Sequence, residues 1–310
     1  MYDTIIVGGG PAAIAAGIYV GRKKMKTLLI ADSFGGQSLV SDDIRNWIGV
    51  VSISGPALAK ALTDHLMAQE GIEIKMPEKA LSTKEIQDGF EVLTERGDAY
   101  QTRTLIIASG GRRRRLGVPG EDKFEGKGVA YCSICDAPLF KGKAVAVVGG
   151  GNAGFEAAID LLPYATKIYI LEFGAEPKAD AITQAEVKKS PLVTVITNAQ
   201  TKEVLGDNFV SGLKYIDRIT NEEKLLEVGG VFVQIGSQSN SEIVKGLVDV
   251  NKYGEILVDH KFATTSKSGI FAAGDVTDAA FKQNNIAVGD GIKAALSAYN
   301  YLLQYGKKNF

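Results

Sequence analysis

Thr4-Ile5-Ile6-Val7-Gly8-Gly9-Gly10-Pro11-Ala12-Ala13 is the stretch that decides the fold. A short apolar run that stops at glycines suits a strand buried on both faces of a parallel sheet. The small residues from Pro11 to Val20 read as a helix, and Thr27 to Ala31 as the next strand, closed by Asp32. This is a βαβ unit with G-x-G-x-x-A at its turn and an acid about 20 residues on. Gly8 allows the turn, Gly10 lets a pyrophosphate approach, and Ala13 lets helix and strand pack closely. Pro11 and Ala12 start the helix, whose exposed N-terminal amides suit phosphate oxygens. Asp32 is placed to accept from a ribose hydroxyl; the plainer reading is a solvated acid at a strand end.

The theme returns later. Lys143 to Val148 is a strand, followed by Gly149-Gly150-Gly151-Asn152-Ala153-Gly154, a helix ending at Pro163, and a strand from Lys167 to Leu171 that ends at Glu172. The second unit copies the first in outline, with a period far longer than a solenoid repeat. Between the two, Gly35-Gly36-Gln37 and Asn46-Trp47 are loop residues. Pro56 to Glu70 reads as an amphipathic helix and Ile72 to Met76 as a strand. Residues 80 to 103 read as an antiparallel meander with turns at Asp88-Gly89 and Arg96-Gly97. Leu105 to Ala108 then reads as a separate buried strand leading into Ser109-Gly110-Gly111. In the second unit a strand at Val193 to Thr197 precedes another meander through Val233. Gly269 to Asp275 is a last short strand, and Lys282-Gln283-Asn284 leads into a helix that runs to about Tyr305.

That final segment needs a partner core and is assigned back to the first unit. The expected fold is α/β, with two Rossmann-like, three-layer dinucleotide-binding domains, each with a small antiparallel β-meander. The first is discontinuous, residues 1–115 and 246–310; the second is 116–245 and carries the cysteines. Arg112 to Arg115 falls at the junction. A solvated linker is the plain reading of that run, and contact with a nucleotide phosphate or an acidic partner is the sharper one.

The chain holds 2 cysteines, and they form a single C-x-x-C in Cys132-Ser133-Ile134-Cys135-Asp136. As a staple the pair would close a ring of ~4 residues, worth only about 2 kcal/mol on the chain-entropy formula. A zinc site needs two further ligands, and His65 and His260 are not spaced as zinc ligands usually are, so no metal is expected. As a redox pair, C-x-x-C has the spacing that lowers a thiol pKa and permits disulfide exchange. Two nucleotide fingerprints flanking one dithiol read as an electron path, from a nicotinamide across a flavin to the sulfurs.

Composition sets bounds. A chain of 310 residues with 45% apolar residues is globular and long enough for two domains. The net charge of −1 gives no support to nucleic-acid or membrane-surface partners. Two cysteines make no disulfide framework, so the pair fits a reducing cytosol and a cytoplasmic location is expected. The N-terminus lacks a basic lead-in and reads as strand and helix rather than a signal peptide. No apolar run of ~18 residues offers a membrane span.

The joint pattern resembles the low-molecular-weight thioredoxin reductases and their close relative, the flavoprotein subunit of alkyl hydroperoxide reductase. The resemblance covers essentially the whole chain. It rests on the glycines from Gly8, on Gly35-Gly36-Gln37, on Asn46 before an aromatic, and on Ala108-Ser109-Gly110-Gly111, which is similar to the family's Ala-Thr-Gly junction. It rests also on Cys132 to Asp136 as the family's C-x-x-C-D, and on Gly274-Asp275 followed by Lys282-Gln283-Asn284 as its flavin-binding tail. The resemblance implies FAD on the first domain, a nicotinamide on the second, a homodimer, and domains that rotate. It implies that Cys135 is the thiol nearer the flavin and that Cys132 attacks the partner's disulfide. It implies further that Asp136 gives the proton to the leaving group; the plainer reading of Asp136 is a surface acid at a turn. The implied partner is a thioredoxin- or glutaredoxin-like protein.

Three departures bear on function. Gly154 stands where many thioredoxin reductases carry Ala. Glu172 is followed by Phe173-Gly174-Ala175-Glu176-Pro177-Lys178, without the arginine cluster with which NADPH-dependent members hold the 2′-phosphate. A carboxylate ~4 Å from a phosphate charge costs about 4 kcal/mol at an effective dielectric of ~20, so NADH is expected over NADPH. The sequence also starts at the FAD domain, so an N-terminal dithiol carrier like that of the peroxide-reductase flavoprotein is expected on a separate protein. Three other readings stay open: the same fold drawing on reduced ferredoxin, an NADH oxidase passing electrons to oxygen, and a flavin-binding redox sensor.

Overall fold

A computed structural model describes residues 1–41 and 43–306. The chain divides into two compact units, Met1–Arg112 with Gln238–Phe310, and Arg113–Ser237. The crossings at 112/113 and 237/238 lie upstream of the positions expected from the sequence.

The first unit begins with β1 (Tyr2–Val7), α1 (Pro11–Arg22), β2 (Thr27–Ile30), α2 (Gly55–Met67) and β3 (Ile72–Lys75). It continues through β4 (Ala80–Ile86), β5 (Gly89–Thr94) and β6 (Ala99–Ile107), and β7 (Gly111–Arg113) runs across the 112/113 crossing. Strand order is β3-β2-β1-β6-β5-β4. Pairing is parallel from β3 through β6 and antiparallel from β6 to β4. The meander is therefore an extension of the main sheet. The expected break between residue 103 and Leu105 is absent, and β6 is one strand. Its inner end pairs with β1, Thr4 opposite Thr104, and its outer end pairs with β5, Phe90 opposite Thr102.

Apolar residues on β1 and β2 divide between two cores. Ile6 and Leu29 join one cluster with α1 and the C-terminal helix, while Ile5, Val7, Leu28 and Ile30 join the other. Burying such a side chain contributes roughly 1.5–3 kcal/mol, so this uninterrupted apolar run specifies a sheet covered on both faces.

The second unit follows with β8 (Val129–Ala130), α3 (Ser133–Asp136), β9 (Ala144–Val148), α4 (Asn152–Leu161), β10 (Lys167–Leu171), α5 (Ala181–Lys188) and β11 (Val193–Ile196). Then come β12 (Ala199–Gly206), β13 (Val210–Asp217), β14 (Glu223–Leu226) and β15 (Gly230–Val233). The parallel sheet runs β11-β10-β9-β15-β8. The meander is a separate sheet, β12-β13-β14, and stops at Leu226. Val233, expected in the meander, lies instead on β15 in the parallel sheet, opposite Val148 of β9. Phe140 and Phe232 meet edge to face at 4.8 Å in this core.

The chain then returns to the first unit with β16 (Ser237–Ser239), β17 (Ile270–Ala272) and α6 (Asn284–Gly306). Strand β17 pairs in parallel with β6. Helix α6 lies close on α1 because its contacting residues are small: Ala294, Ala295 and Ala298 share a cluster with Ala12, Ala13 and Ala16. A methyl group at Gly291 would sit 2.1 Å from the Ala12 carbonyl oxygen. No helix among the described residues is long and apolar enough to cross a membrane.

Candidate active site

In the first unit the turn after β1 opens a cavity of about 770 Å³. Its wall takes in Gly8, Gly10, Pro11, Ala12, Asp32, Gly36, Gln37, Ala108, Ser109, Gly110, Asp275 and Asn284. The glycines are there for space. Gly8 has φ +131, and a Cβ on it would lie 2.1 Å from the Ala108 carbonyl oxygen. On Gly9 a Cβ would lie 1.9 Å from the Ser33 carbonyl oxygen. Gly10 caps α1 with no side-chain partner for its first amides, which leaves those donors to a ligand. Asp32 is largely exposed on the cavity wall, 3.3 Å from Lys79.

Further contacts hold this wall and the remaining expected residues of the unit in place. Ala13 is fully buried beneath it. Gly35, with φ +102, donates its amide to the Gly9 carbonyl at 2.9 Å. A Cβ on Gly274 would meet Ala12 at 3.0 Å. Gln37 donates to the Gly111 carbonyl and to Asp275, at 2.9 and 3.2 Å. Ser38 donates to Asn284, and Asn46 to Gln283. Lys282 reaches the Thr277 carbonyl and pairs with Glu255. A cavity of this size with uncapped helix amides in its wall and an acid beside them fits a dinucleotide.

Among the wall residues that local motifs did not flag are Glu78, Asn240 and Glu242. Glu78 is buried and held by Arg96 at 2.9 Å. Arg112 also lines the cavity, bridging Asn240 and Glu242 at 2.6 and 2.7 Å. The arginine run thus resolves into separate roles, since Arg115 pairs with Asp122 and Glu125 in the second unit at 2.6 and 2.9 Å.

In the second unit Cys132 and Cys135 form a disulfide, with Cα atoms 5.3 Å apart. Cys132 caps α3, and its Sγ accepts from the Cys135 amide at 3.2 Å. Both are half-buried, and Ile134 between them is exposed. The segment leading in is pinned by Glu121. This buried acid accepts from the amides of Leu116 and Gly117, each at 2.9 Å, and from the Tyr131 hydroxyl at 2.8 Å. Ser133 donates to Asp160 at 2.7 Å. A positioned sulfur pair that is only half covered is what exchange with an outside disulfide requires.

Asp136 follows the pair. Burial pushes its carboxyl up to about 6 from the usual 3.8, with the charge of Arg113 and a backbone hydrogen bond at Cys132 pulling it partly back. It therefore holds a proton up to about pH 6 in the folded chain, and the unfolded chain gives it up near 4. The stability it contributes is complete below pH 4 and is lost as pH rises through 6. Asp136→Asn removes that penalty. The variant's thermal midpoint should exceed the parent's at pH 8 and match it at pH 4, which a pair of melting curves checks.

The second fingerprint lies between β9 and α4. A Cβ on Gly149, with φ +124, would lie 2.2 Å from the Gln234 carbonyl oxygen. Gly151 caps α4 without a side-chain partner and faces open space. Asn152, at the helix start, accepts from the Asp180 amide at 2.8 Å, and Ala153 is exposed beside it. Gly154 has no room for a methyl group: a Cβ would lie 1.8 Å from the Gly149 carbonyl oxygen. Glu172 is buried, and both of its oxygens accept backbone amides, from Gly150 at 2.9 Å and Gly174 at 2.7 Å. Open amides at the end of a parallel strand, with a fixed acid beside them, fit a second dinucleotide. No cluster of potential metal ligands occurs among the described residues.

Two nucleotide-binding units with a disulfide on the second define a class, the dinucleotide-dependent disulfide oxidoreductases. The chain belongs to the pyridine nucleotide-disulphide oxidoreductase family, whose profile matches residues 2–291. It is 47% identical over 303 residues to an NADH dehydrogenase of Bacillus subtilis, covering 98% of this chain and 59% of that protein. It is 47% identical over 306 residues to the F component of the alkyl hydroperoxide reductase of Pseudomonas aeruginosa, covering 98% and 58%. The chain thus spans a little under three-fifths of the length of these relatives. Among solved structures, the thioredoxin reductase of Streptococcus pyogenes matches with TM-score 0.92 and 34% identity, covering 98% of this chain and 99% of that one. The enzyme of Giardia duodenalis matches with TM-score 0.92 and 31% identity, covering 97% and 99%.

Proposed function

We propose that the chain is an FAD-dependent thioredoxin-disulfide reductase-type oxidoreductase. It passes electrons from NADH through FAD and the Cys132–Cys135 disulfide to a thioredoxin- or glutaredoxin-like protein. The observation that carries this reading is the half-buried disulfide on a unit that also bears an intact dinucleotide fingerprint. FAD held in the first unit's cavity by Gly8, Gly10 and their neighbours would supply the two-electron chemistry that links a hydride donor to a disulfide.

The residues of the chain do the rest. The open amides at Gly10 and Gly151 hold phosphates, and Asp32 takes a ribose hydroxyl. Cys135 receives the electrons as the sulfur–sulfur bond breaks. Two electrons and two protons convert the disulfide to a dithiol, and Cys132 as thiolate attacks the partner's disulfide. Asp136, whose carboxyl is pushed up to about 6, takes up a proton more readily than a free aspartate and gives it to the leaving group. Such a dithiol cycles in a reducing compartment such as the cytoplasm, and the protein works as a homodimer.

The coenzyme preference rests on Glu172. Its carboxylate is fixed by two amides and cannot swing away from a 2′-phosphate. A few kcal/mol of repulsion corresponds to a preference of about a hundredfold for NADH. Anaerobic titration of the FAD-loaded protein with NADH, NADPH and reduced ferredoxin tests the donor side of this reading. NADH should bleach the flavin at far lower concentration than NADPH. Equal response to the two coenzymes overturns the preference, and bleaching by ferredoxin alone overturns the nicotinamide reading. The Bacillus subtilis relative is named an NADH dehydrogenase, and a second reading for this chain is an NADH oxidase that passes electrons to oxygen and does not need the dithiol. A Cys132→Ser/Cys135→Ser double variant that keeps full turnover would establish it.

A further inference from the structure

The segment after β10 holds an aromatic ring that packing does not explain. Phe173 is 55% exposed although the loop around it is tightly bonded. Glu172 donates its amide to Ile196 and accepts from Gly174, while the Gly174 carbonyl accepts from the Asn198 amide at 2.8 Å. The ring is therefore displayed by a rigid loop. Arg218, beyond the end of β13, crosses to the same loop. Its amide donates to the Asn198 carbonyl at 2.8 Å, and its guanidinium donates to the Phe173 carbonyl at 2.9 Å. The guanidinium carbon stands 3.9 Å from the centre of the Phe173 ring, a stacking distance.

This pair sits beside Glu172, at the carboxyl end of the strand that follows the fingerprint strand. In doubly wound sheets that position faces the adenosine half of a bound dinucleotide. A planar base needs a flat partner, and stacking on an aromatic ring or a guanidinium supplies one. We propose that Phe173, backed by Arg218, is the stacking platform for the adenine of the nicotinamide coenzyme. Phe173 would touch the base, and Arg218 acts through it as a positioning residue. This rests on the reading of the second unit as a nicotinamide-coenzyme site and names the residues that grip the end of the coenzyme remote from hydride transfer.

The test is binding of ADP-ribose to the FAD-loaded protein by calorimetry, beside binding of reduced nicotinamide mononucleotide, which lacks the adenosine. Stacking of one base on an aromatic ring corresponds to roughly a tenfold change in affinity. Phe173→Ala and Phe173→Leu should each weaken ADP-ribose by about tenfold, whereas Phe173→Tyr retains it. Arg218→Ala should weaken it by a smaller factor. The mononucleotide should bind all variants alike, and thermal midpoints should stay level because the ring is exposed. Unchanged ADP-ribose binding in Phe173→Ala overturns the proposal, and so does equal weakening of the mononucleotide. If the unsubstituted protein binds neither ligand, it is the coenzyme reading that fails.

Discussion

Replacing Cys135 with serine should abolish the reduction of protein disulfides while leaving reduction of the flavin by NADH intact. The serine oxygen cannot form or break a bond to Sγ, so electrons that reach the flavin have no sulfur exit. Thiol–disulfide exchange also requires a thiolate, and a serine hydroxyl is not ionised near neutral pH. Turnover with a thioredoxin- or glutaredoxin-like substrate should fall by on the order of a thousandfold or more. Cys135 is half-buried and belongs to a one-turn helix, so the fold has little to lose. Closing so small a loop contributes only about 2 kcal/mol. Stopped-flow absorbance separates the two half-reactions. Surviving disulfide turnover would sink the electron path proposed for this chain.

The second large effect is expected at Gly154. Alanine at this position in many thioredoxin reductases makes Gly154→Ala look harmless, yet a methyl group there would lie 1.8 Å from the Gly149 carbonyl oxygen. That oxygen belongs to the fingerprint turn, and neither it nor α4 is the flexible end of a side chain. Overpacking of this kind costs about 1–3 kcal/mol, and here it also moves the amides that should hold a pyrophosphate. Ala13, the equivalent of Gly154 in the first unit, carries its methyl group in a fully buried position. Gly154→Ala should therefore lose reduction by NADH while keeping its FAD and remaining reducible by dithionite. Retained affinity for NADH would show that α4 can retreat from β9 without cost.

The parts of the fold most legible in the sequence are those where a backbone demand leaves one acceptable residue. Both fingerprints announce themselves because Gly8 and Gly149 sit at positive φ hard against a neighbouring carbonyl. The continuity of β6 was hidden at Thr102 and Thr104, two polar residues where the alternation of the meander gives way to the apolar run from Leu105. Both are buried, and their hydroxyls donate to the Thr104 and Asp3 carbonyls, each at 2.8 Å. Strand β15 was hidden by glycine. Gly230 opens the strand, and its missing side chain leaves room for the Phe140 ring, which a Cβ there would meet at 2.2 Å.

The candidate site divides in the same way. The cysteines, the glycines and the two strand-end acids come from local motifs. Glu78, Glu121, Asn240 and Arg218 are brought in by tertiary contact, and no spacing in the sequence marks them. The arginine run illustrates the point. Four identical residues in a row find partners as far apart as Glu242 and Asp122, and nothing in the run foretells which acid each one meets.

Glu172 carries a consequence for how coenzyme choice can change in this lineage. A single exchange to arginine would add a cation for a phosphate-bearing coenzyme, but it would also strand two amide hydrogens, that of the buried Gly150 and that of the half-buried Gly174. The acid is both gatekeeper and keystone of its loop. A switch of reductant must therefore arrive as a rebuilt segment, loop and all, so intermediates with one altered position are disfavoured by folding before catalysis is ever tested.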